Sequence, residues 1–173
     1  FVGRQHELAE VKGLLAIDRL VTLTGAGGSG KTRLALRVAA EVLERYPDGV
    51  WWVDLAPLLD PALVPQQVAV AVGLLAPPGR SFADILIDFF RQRLALLVLD
   101  NCEHLIQACV ELTEHLLRAC PDLQILATSR EPMGAAGELV WPVSPLAVPA
   151  STGIDQQSLQ QNEAAQLLLE RAQ

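Results

Sequence analysis

The sequence predicts an α/β fold, a three-layer sandwich built on a five-stranded parallel sheet. Three observations carry the prediction. Short apolar runs alternate with longer stretches of helical spacing along most of the chain, the pattern of a doubly wound sheet. The runs are continuous rather than alternating, as in Ala95-Leu96-Leu97-Val98-Leu99-Asp100, which suits strands covered on both faces. A glycine-rich string, Gly25 to Thr32, stands between a strand-like run and a helical one.

The elements follow in order. Leu8, Val11, Leu14 and Leu15 give residues 5–17 a helical spacing. Residues 20–24 read as a buried strand. A helix over 31–45 places Leu34, Val38, Val42 and Leu43 on one side and stops before Tyr46-Pro47-Asp48-Gly49. Residues 50–54 form the second strand. Helices near 61–74 and 81–93 are divided by Pro77-Pro78-Gly79, and Ser81 with Asp84 reads as an N-cap. Strands at 95–100, 123–128 and 138–142 and a helix at 103–119 complete the unit. Residues 1–147 thus read as one nucleotide-binding domain and 148–162 as a linker rich in Ser and Gln. Residues 163–173 read as the first helix of a further, helical domain.

Composition narrows the function. The 173 residues are 51% apolar and 19% charged, enough to bury a self-sufficient core and too apolar for a disordered chain. No apolar run reaches 18 residues, which argues against a membrane-spanning helix. Twenty acidic and 13 basic residues give a net charge of -7, which disfavours this segment as a nucleic-acid-binding surface. Only Lys12 and Lys31 are lysines; the other 11 basic residues are arginines. Cys102, Cys109 and Cys120 lack metal-ligand spacing and read as reduced core residues. His6, His104 and His115 show no metal spacing either. Trp51 and Trp52 read as packing between sheet and helices, and Arg91 and Arg93 as solvated. A chain that opens on Phe1 reads as a segment of something longer, without a targeting signal and expected in the cytoplasm.

Chemistry concentrates in Gly25-Ala26-Gly27-Gly28-Ser29-Gly30-Lys31-Thr32, a full match to the phosphate-binding loop G-x-x-x-x-G-K-[ST]. Glycines let successive backbone N–H groups turn inward on phosphate oxygens. A helix starting at the loop's end adds its positive N-terminus, with Arg33 in its first turn. Lys31 would neutralise the β- and γ-phosphates, and the Thr32 hydroxyl would ligate Mg²⁺. Asp100 ends a buried strand at the carboxyl edge of the sheet, where it would hold the same ion through its water shell. Alone, an Asp there is as well read as a helix cap. Arg130, after Ala127-Thr128-Ser129 at the end of the 123–128 strand, would sense the γ-phosphate or lie on the surface; chemistry alone does not decide. The position after Asp100, where many ATPases carry an acidic base, holds Asn101. Glu103 is the substitute candidate, set against a plain role in a helix's first turn. With no lysine after Lys31 there is no N-K-x-D guanine motif, so adenine is the expected base and ATP or ADP with Mg²⁺ the expected cofactors.

These strings resemble a known group. Phe1-Val2-Gly3-Arg4 before a helix, the loop, Val50-Trp51-Trp52-Val53-Asp54-Leu55, Asp100-Asn101-Cys102-Glu103-His104, Thr128-Ser129-Arg130-Glu131 and Trp141-Pro142-Val143-Ser144-Pro145-Leu146 are similar to the nucleotide-binding domain of STAND-class ATPases. The nearest likeness is to NB-ARC-like modules of bacterial LuxR- and SARP-type transcriptional regulators. The resemblance implies one strand between the Walker A strand (20–24) and the Walker B strand (95–100), with 123–128 the candidate. It implies that Val2, Gly3 and Arg4 lie beside adenine and ribose, that Arg130 reads the γ-phosphate, and that Pro145 and Leu146 belong to the pocket's exit toward the helical domain. It further implies slow hydrolysis in a signalling switch. Partners would be the protein's own downstream helical, winged-helix and sensor domains, and other copies of itself in the ATP state. Asn101 departs from the acidic residue of many relatives, and a Gly-Leu-Pro-Leu motif would lie beyond Gln173. The competing readings are an AAA-type motor or loader, which needs an arginine finger for a neighbouring subunit, a P-loop kinase, which needs an arginine-rich lid, and a structural scaffold that binds nucleotide without turnover.

Overall fold

The computed structural model describes residues 4–75 and 78–145. Val2, Gly3, Leu146 and the expected linker and final helix lie outside the described residues. Five strands, β1 (Leu20–Thr24), β2 (Val50–Asp54), β3 (Ala95–Asp100), β4 (Leu123–Ser129) and β5 (Leu139–Pro142), form one parallel sheet in the order β2-β3-β4-β1-β5. The strand carrying the glycine-rich loop and the strand ending in Asp100 are therefore separated by β4, as expected.

The sheet is covered on both faces, for the reason its sequence gave. Along β3, Ala95, Leu97 and Leu99 pack to one side with helices α3 (Val64–Ala71), α4 (Phe82–Phe90) and α5 (Ile106–Ala119). Leu96 and Val98 pack to the other side with α1 (Gln5–Leu14) and α2 (Lys31–Glu41). Successive strand side chains point to opposite faces, so a strand apolar at every position needs cover on both. Each fully buried leucine contributes roughly 1.5–3 kcal/mol.

The strands match their expected limits closely, whereas the helices are shorter. α2 ends at Glu41, and Leu43–Arg45 is a single 3-10 turn. Leu43 is exposed there rather than sharing the buried side with Leu34, Val38 and Val42. The expected helix at 61–74 opens with a 3-10 turn at Pro61–Leu63, capped by the Asp60 carboxylate on the Ala62 N–H. The Ser81 cap is present: its hydroxyl accepts from the Asp84 N–H at 3.1 Å. Trp51 packs edge-on against Phe89 and Phe90. Arg93 is not simply solvated; its guanidinium lies 3.9 Å from the Phe89 ring centre and donates to the Phe89 carbonyl. All three cysteines are free and buried. The neighbouring Cys109 thiol, with burial, pushes the Cys102 pKa well up, so Cys102 stays a thiol.

Candidate nucleotide and magnesium site

The carboxyl ends of β1, β3 and β4 lie side by side, and the loop 25–30 joins β1 to α2 at that edge. Two glycines there have a structural reason. Gly25 has φ 147°, and a Cβ on it would stand 2.7 Å from the Val143 carbonyl oxygen. Gly30 has φ 92° and lies against the Arg4 guanidinium. Side chains at either position would strain the loop. Ala26, Gly27 and Gly28 form its exposed crest, and Ser29 is buried.

Lys31 is 8% exposed, and its Nζ donates to the Gly25 and Ala26 carbonyls at 2.7 and 3.0 Å. The cation is thus held inside the loop's curve. The next residue faces Asp100: Thr32 Oγ1 donates to Asp100 Oδ1 at 3.0 Å. Arg33 is exposed on α2.

Asp100 is 2% exposed. Thr128 Oγ1 also donates to its Oδ1, at 2.5 Å, and Asn101 Nδ2 donates to its Oδ2 at 3.0 Å. Burial raises its pKa above the usual aspartate value. The two threonine hydroxyls pull it back, and the charges of Asp54 and Glu103 push it further up. Its hydrogen-bond partners among the described residues are all neutral.

Asn101 has a left-handed backbone, φ 65°, a conformation that asparagine tolerates better than most residues. Its N–H donates to Thr128 Oγ1, and its amide also reaches Asp54 Oδ1 at 3.4 Å. Asparagine here turns the chain and ties β2, β3 and β4 together. Glu103 lies in a 3-10 turn at Cys102–His104, ahead of α5, so it is not in that helix's first turn. Its Oε1 accepts from Arg130 Nε at 3.1 Å. Arg130 follows the last residue of β4. Ala56, Asn101, Glu103, His104, Arg130 and Glu131 line a cleft of about 520 Å³ at this edge.

Arg4 stands before α1 with φ 63°. Its buried guanidinium donates to the Ser29 carbonyl at 2.7 Å and the Ser144 carbonyl at 2.9 Å. It links the loop to the segment after β5, where Pro145 is exposed. Sequence reasoning missed Asp54 and the use of Thr128 as a donor to Asp100. The signal for Asp54 was that two strands both end in Asp, and β2 and β3 pair Asp54 with Asp100 in register.

The residues fit a nucleotide and its metal. Ser29 Oγ is buried without a partner among the described residues, beside a loop of small residues that leaves its crest open. Thr32 and Asp100 bring two hard oxygen donors together at the loop's end, the donor type Mg²⁺ takes.

The loop, its lysine and the strand-end aspartate on this sheet define the class, a P-loop α/β domain. Within that class the chain belongs to the AAA domain family, whose model matches residues 17–132. It is 49% identical over 138 residues to a Mycobacterium tuberculosis protein named as an HTH-type transcriptional regulator, covering 80% of this chain and 15% of that protein. An uncharacterized protein of the same organism is 43% identical over 172 residues, 99% of this chain and 41% of its own length. The chain therefore spans less than half the length of these relatives. Among solved structures it is similar in fold to a Signal Transduction ATPase with Numerous Domains (STAND) protein with a tetratricopeptide repeat sensor from Pyrococcus horikoshii. The TM-score is 0.59 at 16% identity, over 94% of this chain and 25% of that one. These findings agree with the resemblance read from the sequence. No described helix is long and apolar enough to cross a membrane.

Proposed function

We propose that this segment is the ATP/ADP-binding switch domain of a signalling or transcription-regulating STAND ATPase with slow Mg²⁺-dependent hydrolysis. The observation that carries the reading is the Thr32–Asp100 hydrogen bond, which brings the end of the phosphate loop onto the strand-end carboxylate. On this reading the loop 25–30 and Lys31 bind the phosphates, Thr32 and Asp100 hold Mg²⁺, and Arg130 reads the terminal phosphate. Bound Mg²⁺ would supply charge neutralisation on the phosphate oxygens. Val2, Gly3, Arg4, Arg33 and Pro145 are the proposed remainder of the nucleotide's surroundings. The STAND likeness in fold and the regulator relatives support a switch whose partners are its own further domains, with self-association in the ATP form and no direct nucleic-acid contact by this segment. A nucleotide shifts such a switch only through its different contacts with the two states.

A second reading, a scaffold that holds nucleotide without turnover, is favoured by Asn101. A neutral amide stands where a base is needed, and its bonds to Asp54 and Asp100 give it a structural use. The test of the first reading is to purify the protein that carries this segment, denature it and identify what is released. ADP supports the switch. ATP retained unhydrolysed over hours supports the scaffold. No nucleotide, and none taken up on incubation, removes both.

A further inference from the structure

We propose that Glu103 is the positioning residue for Arg130, fixing how that arginine meets the terminal phosphate of a bound triphosphate, and is not the base that activates water. The inference rests on the nucleotide reading above. The two residues are distant in sequence and meet because β3 and β4 are neighbours. Their contact is side-on, Nε to Oε1 at 3.1 Å. A guanidinium presents five N–H donors in a rigid fork. Engaging Nε fixes the plane of that fork, while its two terminal nitrogens make no hydrogen bond among the described residues. They are the donors a phosphate takes in bidentate fashion.

Burial says which partner holds and which is held. The Glu103 side chain is 20% exposed and that of Arg130 is 68% exposed. Glu103 Oε2 is buried without a hydrogen-bond partner among the described residues. The more buried carboxylate is the fixed member of the pair and the exposed arginine is the member it orients. Arg130 can keep its Nε on Glu103 while its far end serves a ligand. The same burial argues against Glu103 as a base. One oxygen is engaged by Arg130, and the other is closed off from the solvent where an attacking water would stand. Both residues line the cleft with Asn101, whose amide touches Asp100. The arginine's free end thus opens on a space adjoining the proposed metal ligand.

The test is calorimetric titration of the protein that carries this segment with ADP and with β,γ-imido-ATP, both with Mg²⁺. The readout is the affinity ratio of triphosphate to diphosphate. Glu103→Ala is expected to lower that ratio about tenfold, the order of one charge-assisted contact, with ADP affinity retained as evidence of folding. Arg130→Ala should lower it similarly, and the double variant no further, because the two act as one unit. Glu103→Gln keeps an acceptor for Nε and should lose only about threefold; it carries the same comparison should the alanine variant not fold. An unchanged ratio in either Glu103 variant overturns the proposal. So does equal weakening of both nucleotides, which marks a merely structural role, or additive loss in the double variant. A wild-type chain that binds neither nucleotide overturns this and the reading beneath it together.

Discussion

Asp100 and Glu103 both project from the carboxyl edge of the sheet, and the fold surrounds them differently. Asp100 is almost fully buried among the hydroxyls of Thr32 and Thr128 and the amide of Asn101, all neutral. Glu103 is paired with a guanidinium. The first carries a charge that no described side chain compensates, and burial raises its pKa accordingly. The second has its counter-charge built in. Two acids so close in sequence are thus suited to opposite tasks. Asp100, beside Thr32, suits an incoming cation. Glu103 suits the orientation of a cation the protein already owns, which in turn suits an anion.

That contrast can be broken at several points. The largest effect is expected from Asp100→Ala, which should reduce the Mg²⁺ enhancement of nucleotide binding by about 10–100-fold. Glu103→Ala should leave the Mg²⁺ dependence in place while altering the triphosphate preference. Titrating Mg²⁺ at fixed nucleotide separates the two. Equal loss in both variants would erase the distinction. Next comes Thr128→Val, of similar shape. It strips a donor from Asp100 and an acceptor from the Asn101 N–H, and should cost about 1–3 kcal/mol in urea denaturation.

Asp100→Asn should act in the other direction, raising Tm by about 2–4 °C in ligand-free protein at neutral pH. The sign follows from the raised pKa. The folded state holds this proton more tightly than the unfolded chain, so the ionised form costs stability. That cost is relieved as pH falls through the folded-state pKa toward the usual 3.8. The gap between variant and wild type should therefore close on acidification. A variant less stable than wild type at pH 7 would show that the hydroxyl bonds outweigh burial. The smallest effect is expected from Arg130→Ala, below about 1 kcal/mol in the same denaturation, because Arg130 is two-thirds exposed. A larger loss would mean that the pair is chiefly structural.

Much of the fold was legible in the sequence because strands covered on both faces write themselves as unbroken apolar runs. Residues 95–100 needed nothing beyond that. Helix ends were less legible. Leu43 continues an apolar spacing, yet the chain tightens to a 3-10 turn there and exposes it. Periodicity reports a face and not where backbone hydrogen bonds stop. In the candidate site, the loop, Lys31 and Thr32 were legible because their spacing is local, and Asp100 because it ends an apolar strand run. The Thr128–Asp100 bond, the Asn101 bridge to Asp54 and the Glu103–Arg130 pair depend on which strands are neighbours and in what register. Asn101 was readable as a weak base from its chemistry. That it also serves a left-handed turn was visible only in the backbone.

The central claim is that this chain binds adenine nucleotide through its phosphate loop. The most direct measurement is equilibrium binding of ADP and ATP with Mg²⁺ to the wild-type chain and to Lys31→Ala. Saturable binding by the wild type is expected, weakened about 100-fold in a variant that keeps its folded circular dichroism. Binding that is absent from the folded wild type, or unchanged in Lys31→Ala, would contradict it.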